Sequence, residues 1–119
     1  MTPRLWLPVL VVLAASPRMA TAQDCNPAGE TQPEMNACAH QDYEKADKAL
    51  NEAYAAVVAI YKDDNEAIGL LKSAQRSWIK FRDAECEFET IDSKGGSIRP
   101  LLRSQCLTGR TGQLRKLAE

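Results

Sequence analysis

Four cysteines provide the clearest chemistry in this chain, because thiols that meet outside the reducing cytosol oxidise to disulfides. They are Cys25, Cys38, Cys86 and Cys106. An even number of cysteines in a short exported chain is typical of a domain held together by disulfides. No Cys-x-x-Cys pair occurs, which disfavours both a zinc site and a thioredoxin-like redox centre. We therefore predict structural disulfides, with no metal and no other cofactor.

Groups suited to catalysis are sparse. His40 is the only histidine, and no nucleophile–base pair can be assembled around it once the cysteines are committed to disulfides. We expect His40 to be exposed and inert, and we predict no catalytic residue. A small hydrolase is therefore the least favoured class of function.

Positions 1–22 carry the pattern of a secretion signal. Arg4 supplies a basic start, residues 5–15 form an apolar run, and residues 20–22 (Ala-Thr-Ala) satisfy the small-x-small cleavage rule. The apolar run is shorter than the roughly 20 residues that span a bilayer. We predict that the signal is removed and that the mature chain is periplasmic or secreted, without insertion into a membrane.

The remaining residues, 23–119, suit a single domain. Losing Arg4 and Arg18 with the signal leaves 13 basic against 16 acidic residues, a net charge of about −3. Nucleic acid is disfavoured as a partner, because binding it requires clustered cations. Residues 22–24 lack the leucine-rich approach to Cys25 of a bacterial lipoprotein, so a soluble exported protein is favoured over a lipid-anchored one.

Sequence patterns typical of helices cover most of the mature domain, and these helices must position the cysteines. Thr31 and Glu34 form a capping-box start, and apolar residues then recur with a period near 3.6, which predicts a helix over 31–62. A second helix is predicted over 63–90 and a third over 97–117, after a glycine-containing loop. The short first connection favours antiparallel neighbours. The prediction is an all-α fold: a disulfide-stapled antiparallel helical hairpin plus a third, C-terminal helix.

The predicted helix lengths place Cys38, Cys86 and Cys106 near one end of the domain, and the arm that carries Cys25 can reach the same end. Four cysteines allow three pairings. Among them we expect Cys25–Cys86 and Cys38–Cys106, each closing a loop of roughly 60 to 70 residues.

Some polar residues fall at core-facing helical positions, where they need hydrogen-bond partners. They are Asp42, Gln75 and Arg82. Because adjacent residues of a helix point in different directions, we expect either Arg82 to pair with Glu85 or Asp83 to pair with Lys80. Trp78 is expected to pack in the core.

A dense motif covers part of the second helix: Gln75-Arg76-x-Trp78, followed by Arg82-Asp83-x-x-Cys86. It occurs with Cys38, Ala46-Asp47, Leu50-Asn51, Tyr54, Leu71, Ala74, Gly95-Gly96-Ser97, Cys106, Arg110-Thr111 and Leu114. Together these residues resemble the LprI-type lysozyme-inhibitor domain family from about residue 25 to residue 117. The resemblance implies a secreted or periplasmic helical domain whose protein partner is a lysozyme.

The loop before the third helix is the segment best suited to such a partner. Lysozymes act through paired carboxylates in a cleft, so an inhibitor needs a protruding element that carries hydrogen-bond donors. The predicted partner-binding residues are Ser93, Lys94, Gly95, Gly96, Ser97 and Arg99. Asp63, Asp64 and Glu66 are expected to cap the second helix, and as rim acids they would also steer a basic enzyme. The alternative is a non-enzymatic envelope binding module whose partner is another protein or a cell-wall fragment.

Overall fold

The structure, a computed structural model, describes Cys25 and residues 29–117. Its elements are α1 (Gln32–Ile60), α2 (Asn65–Glu89), a 3-10 turn (Ile91–Ser93) and α3 (Arg99–Leu117). The predicted all-α fold with a third, C-terminal helix is confirmed. The predicted signal peptide, residues 1–22, lies outside the described residues. Among the described helices, none combines the length and the apolar character needed to cross a bilayer.

Side-chain caps set the starts of the first two helices. Thr31 Oγ1 accepts from the Glu34 amide at 3.3 Å, and the Glu34 carboxylate accepts from two backbone amides, which completes the predicted capping box. Those two backbone hydrogen bonds hold the pKa of Glu34 below its usual value. α2 is capped by Asp64, whose Oδ1 accepts from the Ala67 amide at 2.9 Å. The cap is thus Asp64 and not its neighbour Asp63.

The three helices alternate in direction. Asn36 Nδ2, near the start of α1, donates to the carbonyl oxygen of Ser97 at 3.0 Å, just before α3 begins. α1 and α3 therefore run in the same direction. α2 runs in the opposite direction, from the end of α1 to the start of α3. α3 packs closely along α1, whereas the backbones of α1 and α2 stay further apart. Small buried residues, Ala39 on α1 and Ser104 on α3, suit the close approach.

Arg82 of α2 fills the gap between α1 and α2. Only 5% of this residue is exposed. Its Nη1 donates to Thr111 Oγ1 of α3 at 3.2 Å and lies 3.8 Å from the Asp47 carboxylate of α1. The guanidinium carbon is 5.2 Å from the ring centre of Trp78 and 5.4 Å from that of Tyr43, distances at which a cation is attracted to an aromatic face. One arginine thus connects all three helices.

The expected partners of Arg82 and Asp83 were wrong. Arg82 binds its neighbour Asp83, with Nε and Nη2 at 3.0 and 2.9 Å from the same carboxylate oxygen. Its long side chain is flexible enough to bend toward the adjacent residue, which helix direction alone does not anticipate. Glu85 pairs instead with Arg110 of α3, at 2.9 Å.

The expected disulfide pairing was also wrong: the bonds are Cys25–Cys38 and Cys86–Cys106. All four cysteines do lie toward one end of the domain, but Cys86 is fully buried between α2 and α3, where only Cys106 faces it. Cys25 lies against the start of α1, so its bond to Cys38 is local. The sequence separations are 13 and 20 residues. Loops of that size correspond to about 3 kcal/mol of stabilisation each in the chain-entropy model.

Candidate binding surface at the loop end

The connection between α2 and α3 is a tightly turned loop with its own hydrogen bonds. The Lys94 amide donates to Ile91 O at 3.0 Å, and the Gly96 amide donates to Ser93 O at 2.9 Å. Gly95 has φ of +80°, a conformation that side chains disfavour. A Cβ on Gly96 would lie 3.1 Å from Ser93 O, so this turn also leaves little room for a side chain there. The positive φ therefore favours glycine at position 95, and the limited space beside Ser93 O favours it at position 96. We call residues 91–98 the loop end.

Arg99 fastens the base of the loop end. Its Nε donates to Thr90 Oγ1 at 3.3 Å, and its Nη2 lies 2.8 Å from a Glu87 carboxylate oxygen. Nη2 also donates to the Glu87 carbonyl at 3.4 Å, which places a cation at the C-terminus of α2 where the helix dipole favours it. Thr90 is buried, and its hydroxyl donates to Cys86 O at 2.8 Å. Arg99 was predicted to contact a partner, but the structure places its guanidinium on α2.

The exposed tip of the loop end combines a cation with apolar side chains. Lys94 is exposed and forms no salt bridge to another residue of the part that the structure describes. Ile91 and Ile98 are 47% and 43% exposed. A pre-formed turn that exposes an ammonium and two isoleucines can dock on a protein surface that offers carboxylates.

Beside the loop end lies an open groove of about 400 Å³. It is lined by Asn36, His40, Glu87, Gly96, Arg99, Pro100, Arg103 and Ser104. The hydrogen bond from Arg103, with the charges of Arg103 and Arg99, holds the pKa of Glu87 below its usual value. The groove therefore presents an ionised carboxylate held between two guanidinium groups.

Sequence reasoning missed this groove. Asn36 and His40 stand four residues apart on α1, as do Arg99 and Arg103 on α3, so each pair shares a helix face. That spacing was a usable signal, but which two faces meet depends on helix packing. His40 is exposed as expected, and its Nε2 lies 3.2 Å from a Glu44 carboxylate oxygen.

The remaining motif residues of α2 are divided between interior and surface. Arg82 is buried, Gln75, Trp78 and Asp83 are half-buried, and Arg76 is exposed.

The acidic turn at Asp63 and Asp64 lies at the other end of α2, about 37 Å from the loop end at 1.5 Å per helical residue. These acids therefore do not border the loop end. Glu87 and Glu89 lie just before the loop end in the chain, and Asp92 lies within it.

One cluster has the composition of a metal site. The ligand atoms of Cys25, Cys38 and Asp42 lie within 4.8 Å of one another. The two sulfurs are bonded to each other, so neither is the thiolate that a metal requires.

Comparisons with known proteins agree with the motif. Two uncharacterized proteins are similar: R02472 of Rhizobium meliloti (strain 1021), 37% identical with 94% of each chain covered, and YecT of Escherichia coli (strain K12), 37% identical over 44% of this chain and 38% of YecT. No solved structure gives a significant match. The family model described as lysozyme inhibitor LprI matches residues 22–116, nearly the whole domain. The chain therefore belongs to the LprI lysozyme inhibitor family.

Proposed function

We propose that the mature chain is exported and inhibits a lysozyme by inserting the loop end into the enzyme's cleft. The observation that carries this proposal is the tip: Lys94 projects without an acidic partner among residues 29–117, in a family of lysozyme inhibitors. The role is that of a binding protein and not of an enzyme. The two disulfides are consistent with residence outside the cytoplasm.

The chemistry of the tip complements a glycosidase cleft. Retaining and inverting glycosidases place two carboxyl groups around the bond that they cleave. The Lys94 ammonium would pair with one of them, and Ser93 and Ser97 would offer neutral donors. Gly95 and Gly96 keep the tip narrow, so that its backbone can approach the cleft closely.

The base of the loop end favours tight binding because it is already ordered. Arg99 ties the loop to α2 through Thr90 and Glu87, and Asn36 ties it to α1 through Ser97. A loop that is rigid before it binds loses less conformational entropy on association. This rigidity is the contribution of the helical frame to inhibition.

A turbidity assay of bacterial-wall lysis tests the proposal with purified, oxidised mature protein. We expect excess protein to slow lysis, and Lys94→Ala to raise the inhibition constant at least about tenfold, the cost of losing a central charged contact. Lys62→Ala is the matched control, since Lys62 is also exposed but lies at the far end of α2. Lysis that proceeds unchanged in excess protein would remove the proposal. If Lys94→Ala inhibits lysis as well as the parent protein does, the main contact with the enzyme lies outside the tip.

The groove favours a second candidate function, binding of a cell-wall fragment or another envelope partner. Its volume of about 400 Å³ is within the range of small-ligand sites. Asn36 and Ser104 would bind hydroxyl and amide groups, and Arg103 would bind a carboxylate. Calorimetry with soluble wall fragments distinguishes this candidate: saturable binding that Arg103→Ala weakens, in a protein without effect on lysis, would favour it.

A further inference from the structure

A buried carboxylate oxygen lies beside the Cys25–Cys38 disulfide without a hydrogen-bond partner. It is Oδ1 of Asp42, and no donor in the described part of the chain reaches it. A disulfide carries no proton, so the adjacent sulfurs cannot donate one to this oxygen. Buried polar atoms without a partner are rare and destabilising, so this oxygen requires an explanation.

The same carboxylate and the two sulfurs are close enough to share one ion. Asp42 and Cys38 stand four residues apart on α1, so their side chains lie on one face of the helix. The disulfide holds Cys25 against that face. A carboxylate oxygen of Asp42 and the two sulfurs all lie within 4.8 Å of one another. Ligand atoms of a tetrahedral zinc site are about 3.8 Å apart, given Zn–S bonds of about 2.3 Å. Small side-chain rotations would therefore bring the three atoms to metal-binding distance.

We propose that Cys25 and Cys38, once reduced, bind zinc together with Asp42, through two thiolates and one carboxylate. While the sulfurs are bonded to each other neither is a thiolate, so reduction creates the site. Thiolate ligands favour zinc over magnesium and calcium, which prefer oxygen ligands. Water or Gln41, whose Oε1 lies 3.6 Å from Cys25 Sγ, would complete the tetrahedron.

The step that creates the site is a thiol–disulfide exchange with a protein dithiol. One thiolate of this reductant attacks a sulfur of the Cys25–Cys38 bond, which breaks, and its second thiolate resolves the mixed disulfide. The reductant leaves as a disulfide, and two electrons and two protons remain on Cys25 and Cys38 as thiols. Zinc then displaces the two protons, which pass to solvent.

Cys25–Cys38 is the more accessible of the two disulfides. Both of its cysteines are partly exposed, whereas Cys86 is fully buried between α2 and α3. Breaking the Cys25–Cys38 bond frees only the arm that precedes α1, because the Cys86–Cys106 bond and the contacts of Arg82 still join the helices. α1, which carries two of the three ligands, therefore stays folded. The site contains no loop-end residue, so its test does not depend on the proposed inhibition.

Stepwise reduction of the mature protein tests the proposal, with thiols counted and mapped by mass spectrometry. We expect the thiols of Cys25 and Cys38 to appear first, while the helical circular dichroism is retained. Cobalt added to this form should give thiolate-to-cobalt charge-transfer absorption that the oxidised protein lacks. Zinc should abolish that absorption and raise the unfolding temperature of the reduced form alone. Simultaneous release of all four thiols, or the absence of charge-transfer absorption, would overturn the proposal.

Asp42→Asn distinguishes a three-ligand site from a simple pair of thiols. We expect the zinc affinity of the partly reduced protein, measured by competition with a chromophoric chelator, to fall at least about tenfold, since even partners of metal ligands change affinity by about 10–100-fold. Asp63→Asn is the matched control, because Asp63 is exposed in the turn beyond the far end of α1. Cys25→Ser should lose tight binding altogether. Equal zinc affinities of the parent and Asp42→Asn would remove the carboxylate from the site and overturn the proposal.

Discussion

Arg82→Met should destabilise the domain far more than the loss of any exposed charge. Methionine keeps an unbranched apolar stem of similar length but removes the guanidinium that connects the three helices. The Arg82 side chain is only 6% exposed, whereas those of Asp47 and Asp83 are 42% and 45% exposed. The two carboxylates can therefore turn to water, and the group left without this donor is the fully buried Thr111 hydroxyl.

The magnitude follows from those contacts. The Arg82–Thr111 hydrogen bond involves a charged group and contributes about 1.5–3 kcal/mol, which includes the cost of leaving the buried hydroxyl without that donor. The two aromatic contacts add about 0.5–1 kcal/mol each. Burying the guanidinium opposes these gains, because removing it from water is itself costly. We expect a net loss of about 3 kcal/mol in the free energy of unfolding.

Urea denaturation with the disulfides intact measures this loss, and Arg76→Met serves as the control. Arg76 is exposed on the same helix, so its replacement should change the free energy of unfolding by no more than about 0.5 kcal/mol. Adding Thr111→Val to Arg82→Met should recover part of the loss, because the hydroxyl left without a partner is then absent. If the free energy of unfolding of Arg82→Met lies within about 1 kcal/mol of the parent's value, the proposed role of Arg82 in connecting the three helices is refuted.

Two further predictions concern helix and loop backbone and the response to acid. Gly109→Ala should stabilise the protein by up to about 1 kcal/mol, because a Cβ there meets nothing within 4 Å. Gly95→Ala should destabilise it, because Gly95 has a positive φ that alanine disfavours. A thermal unfolding temperature that is higher for Gly95→Ala than for Gly109→Ala would contradict these backbone assignments. The pKa of Glu87 is depressed below the ordinary 4.5 by Arg103 and Arg99, so its stabilising contribution is present above that pH and is lost as the pH falls through the lower, folded-state pKa. The difference in unfolding free energy between the parent and Glu87→Gln should therefore be constant near neutrality and shrink in acid; a difference that does not change between pH 7 and 3 would contradict the ion pairs at the groove.

Local features of this fold were predictable from the sequence because they depend on nearby residues. The Thr31–Glu34 capping box, the three helices and the glycine turn before α3 all arise from hydrogen bonds or dihedral preferences within a few positions. The short connection between α1 and α2 likewise leaves little choice but an antiparallel return. The family of the domain was also predictable, because the motif that identifies it consists of residue types at fixed spacings along the chain.

The partners of individual side chains were decided only by the packed structure. The axial position of Cys86 was predictable, but its bond to Cys106 depends on how α2 is rotated toward α3. Arg82 likewise found its partners on three helices, because α1 and α2 stand far enough apart to admit a guanidinium between them.

The sequence by itself determined that this is an all-helical, four-cysteine domain with a loop carrying Lys94. Tertiary structure alone decided that Arg99 turns inward and that the two Arg–Glu pairs of the groove assemble beside the loop. The physical reason is that helix formation follows short-range hydrogen bonds, whereas the rotation of each helix about its axis is set by the combined packing of all three. A change of one helix's rotation would exchange buried and exposed faces without altering the predicted helices.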